Sequence, residues 1–145
     1  MAFRFPLASV LRLREIHEQR EERILTEILG RVARTREAIA GLDEQIAQTA
    51  AQREHDLLGR TSGTELHVSY GTVEMLKQRK QTAESQLRQL EQQRDQQIKV
   101  YQAVHQARRV LTNMREDQHE AYLYEQARRE QKEIDDLFIA RMRSH

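Results

Sequence analysis

Only one stretch of this chain carries the residues of a turn. Leu57-Leu58-Gly59-Arg60-Thr61-Ser62-Gly63-Thr64 sets two glycines among small polar neighbours, the composition that interrupts helices. On either side nothing of comparable weight appears. Pro6 is the sole proline, and it stands where a helix begins, because the first turn has spare N–H groups and does not miss the one that proline lacks. Gly30, Gly41 and Gly71 weaken a helix locally without ending it. Ser62 followed by Glu65 has capping-box spacing and starts a second helix near Gly63. The expected organisation is one domain over residues 1–145: helix one at about 6–58, a turn at about 59–63, and helix two at about 64–142.

Apolar residues recur every seven positions along both segments. In the first, Leu11, Leu25, Val32, Ile39 and Ile46 form one column and Leu7, Ile28 and Leu42 a second, a heptad seam. Arg14, Glu18, Glu21, Thr35 and Thr49 also fall on seam positions, and His17 to Arg23 holds no apolar residue. A local change of register through Leu13, Ile16 and Ile24 is the expected way past that gap. In the second segment Leu66, Val73, Leu87 and Tyr101 form one column and Leu76, Ala83, Leu90, Val104 and Leu111 the other, interrupted by Lys80, Arg94 and Gln97. Acid-first pairs at helical spacing, Glu27/Arg31, Glu84/Arg88 and Glu125/Arg129, support both helices.

Two long helices joined by a short turn must run antiparallel. The fold class is therefore all-α: a long antiparallel two-helix coiled-coil hairpin, its second helix longer than its first. With Leu57 opposite Leu66, Leu7 faces a point near Glu116. Roughly 25 to 30 residues of helix two, up to ~45 Å, then extend past helix one. Ile134, Phe138 and Met142 recur there at i, i+4, i+8, with Leu137 beside them, and apolar residues on an unpaired helix point to a partner.

Composition excludes several classes. Leu, Ile, Val and Phe number 15, 8, 7 and 3 in 145 residues, with no Trp. That is too little to fill a globular enzyme core but enough for a narrow seam. Charge is dense but balanced, 24 Lys+Arg against 23 Asp+Glu, so no basic face for nucleic acid is expected. Cysteine is absent, which removes disulfides and thiolate metal sites and is compatible with a reducing cytoplasm. Neither a signal peptide nor an apolar segment of spanning length is found, so any membrane association is expected to be peripheral, without direct insertion.

No constellation of catalytic chemistry assembles. No glycine precedes a lysine, so a phosphate loop is missing. Glu116 and His119 form one Glu-x-x-His, whereas a di-iron bundle needs two such motifs and two further glutamates. His17 and His105 are expected to face each other across the hairpin as a flanking pair. Tyr101 and Tyr122 read as seam fillers, and Arg108-Arg109 and Arg128-Arg129 as solvated faces diluted by acids. No nucleophile, base and orienting acid can share a pocket, because two helices enclose none. Catalytic, cofactor and metal residues are all expected to be none.

The ends carry a family resemblance. Phe3-Arg4-Phe5-Pro6-Leu7, followed by Val10-Leu11-Arg12-Leu13-Arg14-Glu15, resembles the opening of the flagellar export protein FliJ family. Arg129-Glu130-Gln131-Lys132-Glu133-Ile134-Asp135-Asp136, with Arg141 after it, is similar to that family's closing pattern, with Asp136 where Glu is usual. The resemblance implies a cytoplasmic component of the flagellar type III export apparatus, peripheral at the inner face of the plasma membrane and supporting flagellum assembly and motility. It implies a stalk that inserts into the hexameric export ATPase, promotes its activity and links it to the membrane export gate; some members also escort export chaperones. The ring-binding residues expected on this basis are Phe3, Phe5, Leu7, Ile134, Phe138 and Met142. The end near the turn, through Tyr70, Val73 and Leu76, is expected to meet the gate. Alone, the chain is expected to be a monomer, its seam satisfied by its own second helix. The alternatives are a stalk protein of a virulence type III secretion system and a coiled-coil chaperone or scaffold. A prefoldin-like holdase would need an apolar tip, whereas Arg60 to Thr64 is polar.

Overall fold

The computed structural model describes residues 2–59 and 63–144. Two helices, α1 (Ala8–Leu58) and α2 (Gly63–Arg143), pack against each other, and α2 is the longer, with 81 residues against 51. No strand occurs among the described residues. At the start of α1 the carbonyl of Phe5 accepts from the Ala8 amide at 3.1 Å and that of Leu7 from the Leu11 amide at 2.9 Å. Pro6 thus lies inside the first turn, where its missing N–H leaves no gap. Glu65 in the first turn of α2 and Arg141 and Arg143 in its last complement the helix dipole. Ser62, half of the expected capping box, lies outside the described residues.

The chain divides into two compact units: one of Met1–Glu21 with Tyr101–His145, the other of Glu22–Val100. Of the five buried hydrophobic side chains among the described residues, the Glu22–Val100 unit contains Val32, Val73 and Leu76, and the unit of both ends contains Phe5 and Leu11. The rest of the seam is half-buried, as two facing helices allow: each side chain is covered by its partner helix on one side and meets water on the other.

The heptad runs without a change of register. Leu11, Glu18, Leu25, Val32, Ile39, Ile46 and Arg53 are all buried or half-buried, and in the second column only Arg14 is exposed between Leu7 and Asp56. The expected detour is overturned for Leu13 and Ile16, which are 52% and 54% exposed; Ile24 is half-buried beside the seam. Polar residues hold the gap instead, and a straight heptad keeps both columns facing α2. Thr35 and Thr49 tolerate seam positions because each hydroxyl donates to the carbonyl four residues earlier, Arg31 and Gln45, at 2.8 Å.

Cross-helix pairs fix the register. Asp43 meets Lys80 at 2.6 Å, and the Arg53 guanidinium sits 4.4 Å above the Tyr70 ring. In each pair the residue numbers add to the constant that sets Leu57 opposite Leu66. Glu18 and His105, in the other unit, obey the same rule at 3.4 Å. Hydrogen bonding to Asp43 favours the charged form of Lys80 and raises its pKa above the ordinary lysine value.

Candidate partner-binding site

The unit containing both ends carries the most distinctive arrangement. Residues 2–5 precede the helix and run along α2 in non-helical form. Phe3 packs its ring against His119 and Tyr122, at 5.0 and 5.6 Å between centroids. Phe5 is 8% exposed and Leu11 3%, with Leu7 half-buried between them. Through Phe3 this segment, an N-terminal sheath, contacts α2 as far along as Tyr122. The free part of α2 is correspondingly shorter than the 25 to 30 residues expected from helix pairing alone.

Beyond that sheath α2 continues alone. Every residue from Ala127 to Ser144 is exposed, and the helix keeps its form to Arg143. Ile134, Phe138 and Met142 are 59%, 63% and 65% exposed, with Leu137 and Ile139 also uncovered. At 1.5 Å per residue the bare segment, residues 127–143, is about 25 Å long. Of the six ring-binding residues expected from sequence, then, Phe3, Phe5 and Leu7 close the N-terminal sheath while Ile134, Phe138 and Met142 lie free. His119 of the Glu-x-x-His is occupied with Phe3, and no group of three or more metal-ligating side chains exists among the described residues.

Further along this unit, a polar cluster fills the seam. Arg108 donates from Nε to Glu18 Oε2 and from Nη1 to Thr112 Oγ1 at 3.2 Å. His105 brings Nδ1 to 3.4 Å from Glu18 Oε1, and its ring stacks on Tyr101 at 5.7 Å. The side chains of Glu18 and Arg108 are only 16% and 23% exposed. The Arg108 bond, aided by His105, holds the Glu18 carboxyl below its ordinary pKa, and the same bond raises Arg108. The expected His17–His105 pair is not formed: His17 is exposed, and the register sets Glu18 against His105. The signal was available in the heptad, since Glu18 and Arg108 both fall on seam columns.

In the Glu22–Val100 unit the three residues expected to meet the gate separate. Val73 and Leu76 are each 6% exposed, inside the seam, and Tyr70 is 57% exposed beneath Arg53. Leu57, which the sequence set opposite Leu66, and Leu58 and Val68 are 58%, 90% and 62% exposed. The described residues at this end are thus more apolar than Arg60 to Thr64 suggested.

These features define a class: an all-α chain of two long, mutually packed helices, the second longer than the first. The family model for the flagellar FliJ protein matches residues 3–145, and the chain belongs to that family. Membership gives it an export-related function in the flagellum. No curated protein and no solved structure matches it. None of its described helices is long and apolar enough to cross a membrane.

Proposed function

We propose that this protein is the coiled-coil stalk of the flagellar export ATPase. It inserts into the hexameric ring, raises its activity and links it to the export gate at the cytoplasmic face of the membrane. The observation that carries this reading is the bare C-terminal part of α2 in a FliJ-family chain. A single helix about 10–12 Å across with its side chains is thin enough to enter a ring's pore, and Ile134, Phe138 and Met142 give it an apolar face to bury there. The Phe3, Phe5 and Leu7 sheath thickens the helix where insertion stops. Asp135, Asp136, Arg141 and Arg143 offer weak, screened contacts to polar loops, suited to a part that shifts between equivalent positions. Its sequence contains no phosphate loop, and in this reading the chain acts through the ring.

Truncation after Arg129 tests the reading. The shortened chain should retain its hairpin by circular dichroism yet no longer stimulate the partner ATPase; undiminished stimulation refutes it. The gate is assigned to the exposed side chains near the turn, Tyr70 above all, with Val73 and Leu76 holding that face from inside the seam. Tyr70→Ala should weaken gate binding at unchanged helicity, and unchanged binding would remove this assignment.

A further inference from the structure

The bare segment of α2 carries its own heptad. Tyr124, Gln131 and Phe138 form one column and Ala127, Ile134 and Arg141 the other, all exposed. A shallow groove on this face is lined by Tyr124, Ala127, Arg128, Gln131, Lys132 and Asp135. Arg128 and Asp135 share one flank of the stripe, and Glu130 lies on the opposite flank. Gln131 donates to Asp135 at 3.1 Å, which keeps that carboxylate beside the stripe.

We propose that this segment pairs with a second copy of itself, antiparallel, about a twofold axis between Lys132 and Glu133. The inference goes beyond the export reading and does not depend on it. In antiparallel helices opposite columns meet. Ala127 then faces the partner's Phe138, a small side chain against a large one. Gln131 faces the partner's Ile134, and Tyr124 offers its ring to the partner's Arg141. Matching flanks also meet, so Arg128 faces the partner's Asp135, and the twofold axis makes this ion pair twice.

Parallel pairing of the same stripe is opposed at both levels. It sets Arg141 against the partner's Arg141 in the seam and brings Glu130 toward the partner's Asp135 on the flanks. Charge pattern and side-chain size therefore select one orientation. A second copy is the occupant that satisfies the stripe with residues already in the chain. Only about five turns of helix take part, so dissociation in the range of roughly ten to a few hundred micromolar is expected. The proposal differs from the expectation that the chain alone is a monomer, and the mass measurement below decides between them.

Sedimentation equilibrium of the full chain tests the pairing. The average mass should rise from monomer toward dimer with concentration. Phe138→Glu, at an exposed site, should abolish the rise while leaving helicity intact. Arg128→Glu alone and Asp135→Arg alone should each weaken association about tenfold through like-charge contacts. The double variant should return to within about threefold of the parent, which nonspecific aggregation would not do. Because the chain has no cysteine, orientation can be read separately. Gln131→Cys mixed with Ile134→Cys should cross-link under oxidation, and Arg141→Cys, a seam position that faces itself only in parallel pairing, should not cross-link to itself. Three results overturn the proposal: a mass independent of concentration up to about 500 µM, well above the range expected for so small an interface, which leaves the stripe to another partner; failure of the charge swap; or self-cross-linking through position 141, which signals parallel pairing.

Discussion

Removing the Glu18–Arg108 contact tests whether a polar pair can replace apolar packing in the seam. Glu18→Ala, Arg108→Ala and the double variant form a thermodynamic cycle whose interaction energy isolates the pair. Exposed ion pairs contribute ~0–1 kcal/mol, and hydrogen bonds to charged groups ~1.5–3 kcal/mol where water is excluded. With the two side chains 16% and 23% exposed, this pair lies between those limits, and the expected coupling is about 1–2 kcal/mol. Acid should remove it. The Glu18 carboxyl is held below its ordinary value, so its contribution is fully present above the unfolded value near ~4.3 and is lost as pH falls through the lower folded value. Urea unfolding followed by far-UV circular dichroism, at neutral pH and in acid, measures both. A neutral-pH coupling under about 0.3 kcal/mol, the scatter between independent sites, would refute the reasoning. So would a coupling that survives protonation of Glu18.

Two further expectations concern the helices. Leu76→Ala should cost about 2–3 kcal/mol, because the residue is 6% exposed. The half-buried Leu87 should cost about half that, and Leu13, 52% exposed, within about 0.5 kcal/mol of nothing; equal losses at all three would mean that the seam is misplaced. Gly41→Ala and Gly71→Ala should each stabilise by about 0.5–1 kcal/mol, since a Cβ there meets nothing within 4 Å; a lower melting temperature in either would contradict this.

Periodicity made the hairpin legible. A seven-residue repeat on both sides of one glycine-bearing turn admits few arrangements, and the columns through Leu11, Val32, Val73 and Leu76 are those that the fold buries. The polar seam residues were harder to interpret. Glu18, Lys80 and Arg108 look like defects until register sets partners against them, and a shift of one position exchanges His17 for Glu18 opposite His105. Leu13 and Ile16 looked like a detour because their apolarity was weighed without their angle on the helix. That Phe3, Phe5 and Leu7 lie part-way along the second helix was legible from their clustering before α1, but not which α2 residues they meet, because heptads describe helix against helix and say nothing of a non-helical segment laid along one. The exposed row of Ile134, Phe138 and Met142 was legible from spacing alone. Tyr70, Val73 and Leu76 were grouped by proximity, which could not separate a seam position from its exposed flank.

The thinness of the seam also governs how stability responds to temperature. Heat capacity rises on unfolding mainly because apolar surface is newly hydrated. Among the described residues only five hydrophobic side chains are buried, and a long row of others already meets water in the native state. The heat-capacity increment per residue should therefore fall below the ~12–15 cal/mol/K of globular domains, and the stability curve should be correspondingly flat. A low, broad dome of this kind resists cooling well and gives way to heat gradually.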